Sequence, residues 1–408
     1  MDDGRELTTT CVIAGAGPAG LMLGYLLARA GVSVTVVEKH GDFLRDFRGD
    51  TIHPSTLEVM EELGLADAFL ALPHTRAPKL TAQMGGRTIT MADFSRLPVK
   101  HRFIAFMPQW DFLNFLAAEA ARYPHFRLIT KAKVSSLIEG AQGVCGLVVE
   151  TDEGIIEIRS TLVVGADGRN SIVREKAGLS VESFGNPSEV VWMKLSKQAG
   201  DPNEAMGHAG PRQGFVLIDR GDYWQCGYVV RGTTFADIRE KGIAAFRAMV
   251  ADVSPLPRAR AEEIATFDDT SLLTVRIDRL TQWWRPGLIC IGDAAHAMSP
   301  IGGVGVNLAV QDAVAAANIL SRPLREGRLA DADLAAVEKR RLFPTKATQK
   351  LQLMMRSSRR TDQADAAKRK GPPAFIRGIA RWPVLAHLAG RLMGLGFRME
   401  HARIDGKR

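Results

Sequence analysis

Apolar residues along this chain follow two rhythms. In the first, a short unbroken apolar run ends in a glycine-rich turn that opens into helical spacing. Cys11-Val12-Ile13-Ala14 is such a run, its helix extends through Ala30, and Val32 to Val37 forms a second run. The pattern returns at Leu162-Val163-Val164, which leads into a turn and a helix containing Arg174, and at Leu288 to Ile291, followed by a loop and an Ala-rich helix over Val306 to Leu320. Runs of this length between glycines predict strands buried on both faces, as in a parallel sheet. The second rhythm is alternation. Residues 78–107 alternate apolar and polar positions around Gly85-Gly86, and Phe215–Ile218 and Tyr223–Val230 flank Asp219-Arg220-Gly221-Asp222. These predict antiparallel hairpins.

The remaining pattern fills the gaps. Ser55 or Thr56 caps a helix running to Leu63, which Gly64 stops. A helix led by Gln109 reaches Arg122, and another spans Phe235 to Val250. Further strands are expected near 126–130, 144–150 and 155–159, and beyond Asn318 the chain reads as helical with a turn near Pro323. The expected fold class is α/β: a Rossmann-type domain from residues 1–78, 105–180 and 281–350, an inserted β-rich domain from 79–104 and 181–280, and a C-terminal helical segment, 351–408.

Length and charge narrow the function. The chain has 408 residues, room for such a composite with ample core. A net charge of +8 favours anionic ligands such as phosphorylated cofactors. The basic residues are mostly dispersed and no nucleic-acid motif is present, so nucleic acid is not the expected partner. Cys11, Cys145, Cys226 and Cys290 are far apart in apolar runs and have no metal-ligand spacing. They read as reduced thiols of a cytoplasmic protein, with no metal site. Met1 to Thr10 is polar, unlike a signal peptide, and no apolar run reaches the length of a membrane span.

Three stretches carry chemistry. Gly15-Ala16-Gly17-Pro18-Ala19-Gly20 lies between the first strand and its helix, and Glu38 closes the second strand eighteen positions after Gly20, with Lys39 beside it. This is the dinucleotide-binding arrangement: glycines admit a pyrophosphate against a helix N-terminus, and the carboxylate accepts from ribose hydroxyls. In Gly165-Ala166-Asp167-Gly168-Arg169, Asp167 and Arg169 are turn residues or ligand contacts. In Gly292-Asp293-Ala294-Ala295-His296 the loop runs on through Pro300 to Gly302, Gly303 and Gly305, and its glycines let backbone approach a ligand closely. Arg48 is either a surface arginine or a pyrophosphate contact, and His53, before Pro54, reads as structural. Trp192, Trp224 and Tyr228 are core residues or the lining of an aromatic-substrate pocket.

Taken together, the three motifs resemble the single-component FAD-dependent aromatic hydroxylases of the para-hydroxybenzoate hydroxylase type, over roughly residues 10–345. The resemblance implies a glutathione-reductase-like FAD domain. It implies that Gly15, Gly17, Pro18, Ala19 and Gly20 cradle the FAD pyrophosphate, and that Glu38 and Lys39 lie at the adenosine end. Arg48 and Gln109 would lie beside the pyrophosphate and ribityl chain, with Asp167 and Asp293 in the same region. Gly303, Gly305, Val306 and Asn307 would meet the flavin's pyrimidine edge, and Pro300 its reacting face. The implied activity is oxygen insertion from O2 into an aromatic, phenolic or polycyclic substrate through a flavin C4a-hydroperoxide, with NADPH or NADH as transient co-substrate. No protein nucleophile is needed.

The chain ends too soon for the thioredoxin-like extension of larger phenol-hydroxylase relatives, and residues 181–280 carry no substrate motif. A reductase of hydrophobic isoprenoid-like substrates, an epoxidase or a Baeyer–Villiger oxygenase would share the fold, and a flavin-bound protein without turnover is a further reading. The tail carries Leu385, Leu388, Leu392 and Leu395 at helical spacing among arginines. It reads as a closing helix, or as a basic amphipathic one that touches a membrane surface or shields an apolar substrate. A monomer or homodimer is expected.

Overall fold

The structure is a computed structural model that describes residues 5–43, 51–84, 87–185, 188–202, 206–209, 214–230, 233–365, 378 and 381–403. In chain order, the first elements around the site are β1 (Arg5–Ala14), α1 (Pro18–Arg29), β2 (Val34–Val37), β3 (Thr51–Ile52), α2 (Pro54–Glu62), β4 (Lys79–Met84), β5 (Arg87–Asp93), α3 (Gln109–Ala120), β6 (Phe126–Ile129) and β7 (Gly154–Gly165). There follow α4 (Ile172–Lys176), β8 (Ser188–Ser196), β9 (Gly214–Asp219), β10 (Tyr223–Val230), α5 (Ile243–Val253), β11 (Thr270–Val275), β12 (Leu288–Cys290), α6 (Val304–Arg325), α7 (Asp331–Asp365) and α8 (Pro383–Gly394).

β1 is the centre of a mostly parallel sheet. It pairs in parallel with β2 and β7, β2 pairs with β6, and β7 pairs with β12. Both faces are covered, which is why these strands are continuous apolar runs. Cys11 and Ile13 point to the side where α1, α3 and α6 pack, whereas Val12 and Ala14 point to a second cluster with Val163, Val173 and Trp283. An unexpected strand, Lys133–Gly140, pairs with Gly143–Thr151 and extends the sheet beyond β7.

The second sheet has the order β11-β8-β10-β9, then the strand Met206–Ala209, then β4-β5. The early hairpin therefore completes a sheet whose other strands come more than a hundred residues later. Its alternation is strict. Val191, Met193, Leu195, Trp224, Cys226 and Tyr228 face a core closed by α5, while Val190, Trp192 and Ile218 face the opposite side, with Phe94 and the C-terminal Leu395.

Four expectations need correction. The helix foreseen over Phe235 to Val250 is two, Phe235–Glu240 and α5, because Gly242 between them sits at φ +83°. Pro323 does not turn the chain. It lies within α6, near the helix end, where one lost backbone bond is tolerated, and the break follows at Gly327 (φ +66°). In α8 the inward stripe is small, Ala386, Gly390 and Gly394, while Leu388 is exposed. One helical stretch, Ile301–Arg325, is long and apolar enough to cross a membrane, which the sequence reading did not foresee; 72% of its apolar window is buried inside the protein, as befits a core helix.

Candidate functional site

The parallel strands β1, β7 and β12 end on one edge of the sheet, and each hands over to one of the three glycine-bearing loops. Open α/β sheets place their ligands at this carboxyl edge. The loops interlock through backbone. Gly15, at φ +97°, lies so close to the second loop that a Cβ there would stand 2.5 Å from the Ala166 carbonyl oxygen. A Cβ on Gly20 would lie 1.9 Å from the Gly15 carbonyl oxygen. Gly292, at φ +59°, sits against α1, where a Cβ would be 3.0 Å from Ala19 Cβ. Three glycines of these loops differ: a Cβ on Gly17, Gly168 or Gly305 would meet no described atom within 4 Å.

The open space at Gly17 and Gly305 lies at the starts of two helices. Gly17 caps α1, whose Pro18 at the first helical position removes one amide and whose next amides have no helical acceptor. Gly305 lies in the first turn of the 22-residue α6, capped by Gly303 in the left-handed region at φ +63°. Two helix N-termini at a shared edge favour an anionic, electron-rich ligand. The Glu38 carboxylate is held by the Ala16 and His40 amides, which donate to it at 3.0 and 3.2 Å. Asp293, in the third loop, is 31% exposed and takes a 3.0 Å hydrogen bond from Arg169 Nη2. Open space at Gly17, a fixed carboxylate at Glu38 and a half-exposed one at Asp293 fit a dinucleotide such as FAD.

Not every expected contact remains available. Asp167 spends its carboxylate on α4, accepting from the Ser171 hydroxyl and from the amides of Ile172 and Val173 at 2.8 and 3.2 Å. Burial nevertheless pushes its carboxyl above the usual range, against those hydrogen bonds. Asn307 is likewise consumed. Its Oδ1 accepts from the His53 amide and the Thr56 hydroxyl at 2.8 and 2.7 Å, and its Nδ2 donates to the Thr51 and Gly303 carbonyls at 3.2 and 3.3 Å. It ties β3 and α2 to α6, and only backbone at Val306 and Asn307 remains to face a ligand. Gln109 opens α3, half-buried, near the charge pairing of Asp111 with Arg220. Lys39 is exposed, and Arg48 lies outside the described residues.

The aromatic trio is divided. Trp224 and Tyr228 are 0% and 1% exposed in the core behind the sheet, where burial pushes the Tyr228 hydroxyl up to about 12. They are not pocket residues. Trp192, one strand away and of opposite pleat, is on the other face, lying over Gly227, where a Cβ would be 2.9 Å from its ring. We expect Trp192→Ala to raise the KM for an aromatic substrate several-fold, and Tyr228→Phe to leave kcat/KM within about twofold; steady-state kinetics on both variants separates the two faces.

The loop bearing Pro300 is braced from α7. Gln352 accepts from the Ser299 amide at 3.0 Å and donates to the Ser299 and Ile301 carbonyls at 2.9 and 3.2 Å. His53, read from the sequence as structural, stands beside this loop. It is fully buried, and burial lowers its imidazole to about 4, so it is neutral near pH 7. Nothing local in His53-Pro54 announced that place.

Comparison with known proteins agrees with this geometry. Residues 8–351 match the FAD binding domain family. The chain is 33% identical over 390 residues to a 6-methylpretetramide 4-monooxygenase of Streptomyces rimosus, spanning 94% of this chain and 92% of that one. It is 30% identical over 323 residues to the 12-dehydrotetracycline 5-monooxygenase/anhydrotetracycline 6-monooxygenase of Streptomyces rimosus subsp. rimosus, spanning 74% of this chain and 60% of the relative. In fold it is similar to p-nitrophenol 4-monooxygenase from Pseudomonas putida, with a TM-score of 0.74, 21% identity, and 95% of each chain covered.

Proposed function

Because the chain belongs to the FAD binding domain family and is an FAD-dependent monooxygenase, we propose that it hydroxylates a flat, phenolic polycyclic aromatic with O2 at the expense of NADPH or NADH. The observation that carries this reading is the set of interlocked glycine loops at the carboxyl edge of the sheet, with open space at Gly17 and Gly305, together with an apolar sheet face that holds Trp192. The names of the tetracycline-type relatives support a polycyclic substrate, and none of the relatives named above is a reductase.

When bound, FAD supplies hydride acceptance and oxygen activation, which no side chain here can. The chain's own residues do the rest. Gly17 and the first amides of α1 would admit and hold the diphosphate, and Glu38 would accept from the ribose hydroxyls. Asp293, with Arg169 beside it, would take hydrogen bonds from the polyol chain. The first amides of α6, at Gly305, Val306 and Asn307, would favour negative charge on the flavin. Pro300 and the loop braced by Gln352 would line the flavin side of the site. The apolar residues of the second sheet exclude water, which raises the strength of each polar contact inside.

The test is NADPH oxidation under isotopically labelled O2 with anhydrotetracycline and simple phenols. We expect substrate-stimulated oxidation and one labelled oxygen atom in the organic product. Product formed without O2, or product that never carries the label, would refute the reading.

A further inference from the structure

We infer that the C-terminal helix α8 is a wall of the substrate chamber, and that Met393 and His53 determine which aromatic enters it: a flat polycycle whose phenolic hydroxyl donates to His53 Nε2. This rests on the monooxygenase reading above and extends it to residues outside every motif of the cofactor site.

The seating of α8 comes first. A Cβ on Gly390 would stand 2.1 Å from the Asp93 carbonyl oxygen, and one on Gly394 would stand 2.9 Å from Leu97 Cδ1 and 3.2 Å from Phe94. Only a stripe of small residues allows the helix to lie this close on the end of β5. That approach brings Met393 onto the loop after Pro300: a Cβ on Gly302 would be 3.3 Å from Met393 Cε. Met393 packs in the same apolar cluster as Trp192, Phe94 and Ile218. A flexible, polarizable thioether therefore lies between the apolar sheet face and the glycine loop, where an aromatic ring would slide in.

His53 supplies the polar half of the argument. The Met393 carbonyl lies 2.8 Å from His53 Nδ1. A carbonyl only accepts, so Nδ1 carries the hydrogen and a neutral ring leaves Nε2 as an acceptor. That atom is buried, with no hydrogen-bond partner among the described residues. The Gly302 backbone also lies beside the ring, but no hydrogen bond of proper geometry joins it to Nε2. On the sheet side of the cluster, Trp192 Nε1 is also buried without a partner among the described residues. A ligand with a hydroxyl to donate, a carbonyl to accept and a flat apolar body between them answers both atoms. The helix thus acts twice, through the Met393 side chain as a steric stop and through the Met393 carbonyl as the group that sets the His53 tautomer.

The experiment uses the full-length holoenzyme with two probes, anhydrotetracycline as the polycycle and p-nitrophenol as the single ring. His53→Asn retains a donor where Nδ1 was and a residue suited to cap α2, while it removes Nε2. We expect it to retain FAD and to bind anhydrotetracycline at least about tenfold more weakly in an equilibrium absorbance titration. Met393→Trp should lower, and Met393→Ala raise, the ratio of kcat/KM for anhydrotetracycline over p-nitrophenol, each by about tenfold. Loss of FAD with unchanged probe affinity in His53→Asn would mean that Nε2 serves the cofactor, and would overturn the inference, as would unchanged selectivity in both Met393 variants. Labelled-oxygen turnover of the wild type judges the monooxygenase reading separately, since the His53→Asn titration is made without turnover.

Discussion

Replacing Gly17 with valine will give a folded chain that has lost at least about two orders of magnitude in FAD affinity, whereas valine at Gly20 will give little folded protein. The two glycines sit three positions apart in one motif and differ only in what a side chain would meet. At Gly17 it projects into open space, with no described atom within 4 Å, so the apo fold has no objection to it. That space is where the diphosphate must approach the α1 amides, and branched carbons there hold the phosphate away from its donors. A hundredfold loss corresponds to about 2.7 kcal/mol, the scale of charge-assisted hydrogen bonds forfeited. At Gly20 a Cβ would stand 1.9 Å from the Gly15 carbonyl oxygen, so the turn itself cannot close. Circular dichroism, thermal melting and FAD titration of both variants test the contrast. Normal flavin affinity in Gly17→Val would place the diphosphate away from Gly17.

The second large effect is expected at Asp312, which no motif contains. Its carboxylate is wholly buried. Oδ2 is 2.6 Å from His296 Nε2 and accepts from the Gly292 amide at 3.1 Å, while Oδ1 accepts from Arg341 Nε at 2.8 Å. Arg341, 1% exposed, reaches on to Glu400 at 3.3 Å, which Arg340 grips at 2.7 and 3.0 Å. This network pins the loop that bears Asp293 to α6, α7 and the C-terminal segment. Asp312→Ala leaves Arg341 Nε and the Gly292 amide buried without their acceptor and reduces the carboxylates around the Arg341 charge to Glu400, and should cost about 3 kcal/mol of stability. It should also lower the flavin content by releasing the loop. Urea unfolding and the flavin-to-protein ratio measure both; a loss below about 1 kcal/mol would show that solvent or another carboxylate takes over.

The pH dependence of this contribution has a definite sign. Burial alone would raise the Asp312 carboxyl, but His296 and then Arg341 outweigh it and hold it below its ordinary 3.8. The native state therefore binds this proton less readily than the unfolded chain. The stabilisation is complete above the ordinary value and is lost as the pH falls through the folded one. The Asp312→Ala variant should show a shallower acid limb than the wild type.

Much of the cofactor half of the site could be read locally. The strand–glycine–helix order at Cys11 to Ala30, the acid at Glu38 and the glycines from Gly302 to Gly305 announce themselves because steric limits act over a few residues. Glycine takes φ +97° at Gly15 and φ +63° at Gly303 without the strain a side chain would bring. Unbroken apolar runs mean strands covered on both faces wherever they occur. The loops after β1 and β12 therefore had their character before any fold was known.

The substrate half depended on contacts that the chain makes with itself at long range. Alternation says that Trp192 and Val191 face opposite ways, but not which face looks at the site; that depends on α5 covering one side and α8 the other. Asp167 and Asn307 carry the chemistry of ligand contacts, yet the neighbours folded against them take up their hydrogen-bonding capacity first. His53 and Met393 are 340 positions apart, and no local pattern links an imidazole with a carbonyl at that distance in sequence. Motif, period and backbone sterics are properties of neighbours along the chain, and they were sufficient for the fold class and the cofactor. Which face a side chain serves, and whether its polar atoms remain free for a ligand, is decided by neighbours in space, and these exist only once the sheets, α6 and α8 have packed.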